Sequence, residues 1–331
     1  MRHYLFNPTV ILVCCLVLLA AGCRKDKGVG TSQPSRAIYH WKTTYNPTPW
    51  EQEFLKEHKI GRIYLHLFDV DVVQEGVAPV ATLRLMQPLP EDIEVVPTVF
   101  VSHGALDAMS DDYRLSTYDI AHNIYDRVCA MMRCHGLEFS EVQIDCDGGQ
   151  KSAWTTMDLV YFLCQRAHED SVKVSTTLRL SLLTKKKNIP TCDQYVLMMY
   201  NTGRLQSRET HNSILDYKDV EPYIGHMTRG WLDTLAKEGR QIDIAYPLYG
   251  WGVAFHPSGT FSHLVPPDQL PEVVGDTLRV EWAQVSDIQR VQKALEGRVL
   301  PRHKRSTVLF HLDSANLARY SFEEVESIFN Q

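Results

Sequence analysis

The sequence has no CxxC pair, no basic stripe, no Gly-rich phosphate turn after its first apolar run and no apolar stretch long enough to cross a bilayer. Each absence removes a class of function. Of its 8 cysteines, Cys14, Cys15 and Cys23 fall in the N-terminal segment. The rest, Cys129, Cys134, Cys146, Cys164 and Cys192, are odd in number and unpaired in spacing, which predicts buried free thiols rather than a disulfide framework or a zinc site. A bridge from Cys129 to Cys134 would join side chains that diverge on one helix. Formal charge is -6, and taking away Arg2 with the leader leaves -7 (-6 minus one positive charge). An acidic chain without interleaved basic and aromatic residues is not expected to bind nucleic acid, and the three lysines at 185–187 read as a solvated loop.

What is present begins with a leader. Arg2 and His3 precede an apolar run at 10–21, shorter than the roughly 18–20 residues a bilayer span needs but suited to a signal-peptide core. Leu19-Ala20-Ala21-Gly22-Cys23 resembles the lipobox of bacterial lipoproteins, with Ala20 where that motif usually has Leu. The resemblance implies cleavage before Cys23 and lipid on Cys23. Residues 24–36, with Gly28, Gly30, Ser32, Pro34 and Ser35, read as a flexible tether. The expected organisation is a signal peptide at 1–22, a lipidated tether at 23–36 and one domain at 37–331. The expected location is the cell envelope, anchored by lipid to the outer membrane on its periplasmic or surface face.

With 331 residues, 44% of them hydrophobic, the chain can bury a large core. Apolar runs rich in β-branched and aromatic residues predict strands at 37–44, 62–71, 94–102, 142–147, 173–181, 194–202, 242–251 and 307–313. Amphipathic patterns predict helices at 50–58, 117–134, 155–168, 213–223, 228–239, 285–295 and 321–329, the last opened by a capping box from Ser321 to Glu324. Alternating strands and helices imply a parallel sheet, and eight repeats over this length imply an α/β fold of the closed (β/α)8 TIM-barrel type, as a single domain. A doubly wound open sheet is the alternative, and the missing phosphate turn weighs against it.

In such a barrel the site gathers where the strands end. Those ends are polar or aromatic here: His40 and Trp41; His66, Asp69 and Asp71; Ser102 and His103; Asp145 and Asp147; Arg179; Tyr200 and Asn201; Tyr246, Tyr249 and Trp251; His311 and Asp313. The fourth strand stands out. Val142, Ile144 and Cys146 alternate with Gln143, Asp145 and Asp147, so two carboxylates share one face roughly 6 to 7 Å apart just before the Gly148-Gly149 break. Each disfavours ionisation of the other, as in poised acids, proton-sharing pairs and metal ligands.

Several of these ends together resemble glycoside hydrolase family 18, the chitinases and endo-N-acetylglucosaminidases. Ile144-Asp145-Cys146-Asp147 looks like the family's fourth-strand motif, Met198-Met199-Tyr200-Asn201 like its sixth-strand element, and Pro247-Leu248-Tyr249-Gly250 like its seventh. Residues 308–313, with His311 and Asp313, sit where the eighth strand brings an aromatic to the sugar. The resemblance implies a barrel in which Asp145, Asp147 and Tyr200 occupy catalytic positions and Trp41, Asn201, Tyr249, Trp251, His311 and Asp313 contact saccharide. It also places Gly149 where the family has its general-acid Glu, and loss of a positioned acid typically costs about 10²- to 10⁴-fold in rate.

Three functions are open to such a chain. The first is a barrel that binds saccharide on its aromatic floor without turnover. The second is a glycosidase whose acid is supplied by Asp147, Asp69, Asp71, Glu141 or Asp313. The third is a metal-dependent hydrolase built on His40, His66, His103 or His311 with the aspartates, against which the absent His-x-His of the first strand counts. The first is the expected one, for a monomer with no cofactor and no metal. Its expected partners are a saccharide or glycan and, through Cys23, the membrane.

Overall fold

The computed structural model describes residues 36–227, 229–272, 277–296, 298 and 306–330. The expected signal segment, Cys23 and the tether up to residue 35 lie outside them, as does Thr228. Eight parallel strands form the centre: β1 (Arg36–His40), β2 (Arg62–Val73), β3 (Glu94–Val101), β4 (Glu141–Cys146), β5 (Lys173–Arg179), β6 (Gln194–Met198), β7 (Gln241–Pro247) and β8 (Thr307–Phe310). Each pairs in parallel with the next, and β8 returns to β1 with Ala37 opposite Val308, so the sheet closes. The fold is the (β/α)8 barrel that the sequence pattern implies.

Parallel barrel strands are buried on both faces, which is why their runs carry few polar residues. Alternation sorts the two faces. Ile38, Ile63, Leu65, Val99, Ile144, Val174, Leu197 and Leu309 join the main core. Ala37, Tyr39, Tyr64, Val96, Val196, Tyr200, Ala245 and Val308 form a second cluster. Polar side chains share the interior of the barrel. Tyr39 Oη donates to Gln143 Oε1 at 2.8 Å, and Gln143 Nε2 donates to Ser175 Oγ at 3.4 Å, both bonds fully buried. At the N-terminal end of β2, Arg62 reaches Glu141 at 3.4 Å and Glu94 at 2.9 Å.

Helix starts follow local chemistry. Thr48 and Glu51 cap Pro49–Glu57 reciprocally, with Pro at a first-turn position where its missing N–H costs nothing. Ser116 caps Thr117–Cys134, and Ser321 with Glu324 form the expected box before Phe322–Asn330. Arg36, assigned by the sequence to the tether, already belongs to β1 and holds Glu326 at 2.6 Å. None of the helices among the described residues is long and apolar enough to cross a membrane. Cys129, Cys134, Cys146, Cys164 and Cys192 are all free thiols, and Cys134 is exposed rather than buried.

Four departures from the sequence reading shape the mouth. A helix, His103–Asp111, follows β3 at once with Ser102 as its cap. The strand expected at 194–202 stops at Met198. The strand expected at 242–251 is two elements, β7 and then Gly250–Phe255, which forms a separate antiparallel sheet with Phe261–Val265 and Thr277–Trp282. Gly250 packs so closely against the Trp282 ring and the Glu281 carbonyl that a Cβ would overlap both, so only glycine fits there. Finally, the end of β2 leaves the barrel and pairs with Gly76–Val80 as an antiparallel ribbon.

Candidate functional site

A cavity of about 450 Å³ opens among the C-terminal strand ends, walled by Trp41, Phe100, Tyr200, Tyr249, Trp251 and Phe310. Leu264 and Val265 at the end of an antiparallel strand, with Pro266 and Pro267 after it, also line the cavity. The rings brace one another. Tyr200 and Phe310 lie 5.1 Å apart between centroids, Trp41 and Phe310 5.7 Å, and Tyr249 and Trp251 5.3 Å. Such a concave aromatic wall with a few converging polar groups suits a ligand that is apolar on its faces and polar at its edges.

The polar groups are Asp145, Asn201, His311 and Asn316. Asp145 accepts a hydrogen bond of 2.5 Å from Thr177 Oγ1 across the β4/β5 ladder. Burial, with Asp147 and Asp69 near it, pushes the Asp145 carboxyl up to about 6, against the pull of Thr177 and the Arg179 charge. Tyr200 is buried beside it, and burial, then the Asp145 charge and Tyr249, raise its phenol well above the ordinary range. Asn201 has a φ of 55°, a left-handed conformation that Asn tolerates better than most residues. Its Oδ1 accepts from Tyr249 Oη at 2.7 Å. Trp251 is fixed from behind, because its Nε1 donates to Glu281 Oε2 at 2.8 Å. Glu281 is itself buried, accepting from Ser213 Oγ and, at 2.5 Å, from Arg279 Nε.

The sequence-predicted residues divide into two groups. Asp145, Tyr200, Trp41, Asn201, Tyr249, Trp251 and His311 line the one cavity. Asp147 and Asp313 do not line it. Asp147 is held by Arg179 Nη1, and Arg179 Nη2 donates to the Gly148 carbonyl. Asp313 faces Lys42 at 2.7 Å and Asn316 Nδ2 at 2.5 Å. Gly149 is turned away too. It packs against His103, where a Cβ would sit 2.7 Å from the imidazole, and lines a separate cavity of about 250 Å³. The carboxyl that follows Asp145 by two residues, at the strand end, is therefore Asp147, and Gly149 is no part of the aromatic cavity.

The other proposed acids are also engaged. Asp69 pairs with His66 Nε2 at 2.6 Å, and Asp71 accepts from Ser102 Oγ at 2.5 Å. Glu141 starts β4, about 13 Å along the strand from Asp145 and at the opposite end of the barrel, so it cannot serve the mouth. Burial lowers His40 to about 4, Lys42 adding to the effect, and lowers His311 to about 4. Among the described residues no three His, Cys, Asp or Glu side chains group so as to hold a metal ion.

Sequence reasoning missed Phe100, Thr177 and Glu281. Thr177 was within reach, since it alternates in phase with Arg179 on an expected strand. Glu281 gave no signal, because its role depends on a sheet the sequence reading did not separate from the seventh strand.

No protein-family model matches the chain, and no curated protein does. Solved structures do resemble it. The spore cortex-lytic enzyme SleL of Bacillus megaterium QM B1551 aligns at 12% identity over 88% of this chain and 73% of that one, with a TM-score of 0.53. The Group IV chitinase of Ostrinia furnacalis in complex with allosamidin aligns at 10% over 89% and 97%, with a TM-score of 0.52. A chitinase from Bacteroides thetaiotaomicron aligns at 12% over 85% and 90%, also with 0.52. At these identities the likeness establishes the fold: a glycoside-hydrolase-like barrel of the kind found in chitinases and spore cortex-lytic enzymes.

Proposed function

We propose that this protein is an extracytoplasmic lipoprotein whose barrel binds saccharide in the aromatic cavity at its C-terminal mouth and does not hydrolyse it. The observation that carries the reading is the division of the two strand-end carboxyls. Asp145 faces the cavity among Tyr200, Trp251 and Phe310, while Asp147, the one at the strand end, is tied into an ion pair with Arg179. Pyranose rings offer C–H faces to aromatic side chains and hydroxyls to carboxyl and amide groups, and both complements are present. An acid engaged by a guanidinium outside the cavity is not placed to protonate a glycosidic oxygen within it. The barrel fold shared with chitinases, one of them crystallised with allosamidin, supports the choice of ligand class. Anchoring through lipid on Cys23 to the outer membrane, with the domain on the periplasmic or surface face, rests on the leader sequence alone.

A second reading is turnover with Asp145 as the acid. It rests on the Asp145 carboxyl being pushed up to about 6 within the cavity, a value suited to proton donation near neutral pH. Calorimetric titration with N-acetylglucosamine oligosaccharides, run beside a reducing-end assay, separates the two. Saturable binding without new reducing ends supports the first reading, and new reducing ends lost in Asp145→Asn support the second. Changing Cys23 to Ser should move the protein out of the membrane fraction; retention there would place the anchor elsewhere.

A further inference from the structure

The separate cavity of about 250 Å³ that Gly149 helps to line sits at the ends of β4 and β5, and its charge is unlike that of the molecule as a whole. Arg179 and Lys185 both line it and no carboxylate does, in a chain whose formal charge is -6. Thr156, Ser181, Gln150 and Asn188 add hydroxyls and amides to the wall. Neither cation is fully used. Arg179 Nη1 holds Asp147 and Nη2 holds the Gly148 carbonyl, which occupies two of the five N–H donors a guanidinium offers. Lys185 Nζ donates to Gln150 Oε1 at 3.5 Å and makes no other hydrogen bond among the described residues. The lysine run at 185–187, which reads in the sequence as a solvated loop, is thus divided by the fold: Lys185 lines the cavity, while Lys186 lies over the Trp231 ring at 5.1 Å. The first turn of the helix Ala153–Glu169 opens on the same space through Ala153 and Thr156, and its dipole acts in the same sense as the two cations.

This basic cavity adjoins the aromatic one. Asp145 lines the aromatic cavity, Thr177 lines the basic one, and the two side chains are hydrogen-bonded at 2.5 Å. At about 250 Å³ the basic cavity falls below the roughly 300–1,000 Å³ of sites that enclose a whole small molecule, so it suits one acidic group of a larger ligand. We propose that it takes a carboxylate carried by the bound saccharide, so that acidic glycans of the uronic-acid kind bind more tightly than neutral ones of the same size. A planar carboxylate matches the fork of Arg179, and Lys185 adds a second, movable charge. Asp147 already holds part of that fork, so an incoming carboxylate competes with it. The inference rests on the saccharide-binding reading but on different residues, and each can fail alone.

The test has two arms on the full domain. In the first, backbone amide NMR follows titration with sodium glucuronate, with glucose and with inorganic sulfate. Glucuronate should shift the amides of Gly148, Gly149, Ala153 and Lys185 saturably, and glucose should leave them in place. In the second, calorimetry at low salt compares a hyaluronan tetrasaccharide, which alternates glucuronate with N-acetylglucosamine, with the same tetrasaccharide after its carboxyls are reduced to alcohols. The acidic form should bind about tenfold more tightly, the range for a hydrogen bond to a charged group. Lys185→Gln should cut that preference to about threefold or less and leave binding of the neutral N-acetylglucosamine trimer unchanged. Asp147→Asn removes the competing carboxylate and should enlarge the preference, a sign that a general loss of structure would not give. Equal affinity for the two tetrasaccharides, or a preference that survives Lys185→Gln intact, would overturn the inference. So would sulfate shifting the same amides as tightly as glucuronate while the tetrasaccharide gains nothing over its reduced form, since the cavity would then take only a free ion. Glucuronate shifts without binding of the neutral trimer would support the basic cavity and sink the aromatic-cavity reading, and the converse would sink this inference alone.

Discussion

Asp147 lies against Arg179 at the edge of the barrel mouth, while Asp145, two residues earlier on the same strand, faces the aromatic cavity. Both side chains of the ion pair are more than one-third exposed, at 44% and 41%, so solvent screens it and the pair contributes little to stability. Its effect is to assign different places to two carboxyls that the sequence pattern presents as equals. Asp145→Asn should therefore weaken binding of the N-acetylglucosamine trimer by about 10- to 100-fold, the range for a hydrogen bond from a carboxyl group to a ligand. Asp147→Asn should change it by less than about threefold. Calorimetry on the two variants checks the ranking, and a larger loss in Asp147→Asn would contradict it.

Trp251 depends on a buried carboxylate. Removing the ring with Trp251→Ala should cost about 1 to 2 kcal/mol of saccharide affinity, or about 5- to 30-fold. Glu281→Gln keeps an acceptor for the indole N–H but loses the charge that Arg279 meets. It should reduce affinity less than Trp251→Ala while lowering the thermal midpoint, which scanning calorimetry and ligand titration together will show.

Tyr39 and Gln143 join opposite walls of the barrel through a buried hydrogen bond of 2.8 Å. Tyr39→Phe leaves the buried Gln143 Oε1 without that donor and should destabilise the fold by about 1 to 3 kcal/mol. Urea denaturation should show the loss with an unchanged m-value.

His40 is buried and held near 4, below its unfolded value of about 6.5. Its contribution to stability is present above pH 6.5 and is lost as pH falls towards 4, on the order of 3 kcal/mol at most. Asp145 works in the opposite sense: with its folded value near 6, its contribution is present below about 3.9 and lost as pH rises through 6. Acid unfolding of His40→Gln should begin from a less pH-dependent baseline between pH 6.5 and 4 than that of the wild type. An equal slope in both would remove His40 from this account.

The barrel was legible because its strands are buried on both faces and its helices on one, and those two periods differ. Helices Thr117–Cys134 and Val285–Leu295 match the sequence reading at both ends, since each carries a clean apolar stripe. His103–Asp111 was not legible: it starts one residue after β3, includes Gly104 and buries only Ala105, Leu106 and Met109. The aromatic run from Tyr246 to Trp251 masked the change from β7 to the antiparallel sheet, because both elements are apolar, although Pro247 and Gly250 flank the break and mark it in the sequence. Most cavity residues could be named from strand ends alone. What the pattern could not supply was direction. Asp147 and Asp313 sit beside cavity residues in sequence, but each turns to a cation, Arg179 or Lys42, that only the folded chain brings near.

The central claim, binding without turnover in the aromatic cavity, is tested most directly by saturation-transfer proton NMR on the protein with the N-acetylglucosamine trimer, followed over a day. The account predicts transfer to the sugar-ring protons, diminished in Trp251→Ala and Asp145→Asn, with the anomeric signals of the trimer unchanged throughout. No transfer to the trimer or to related N-acetylglucosamine oligosaccharides, or the steady growth of new anomeric signals, would contradict it.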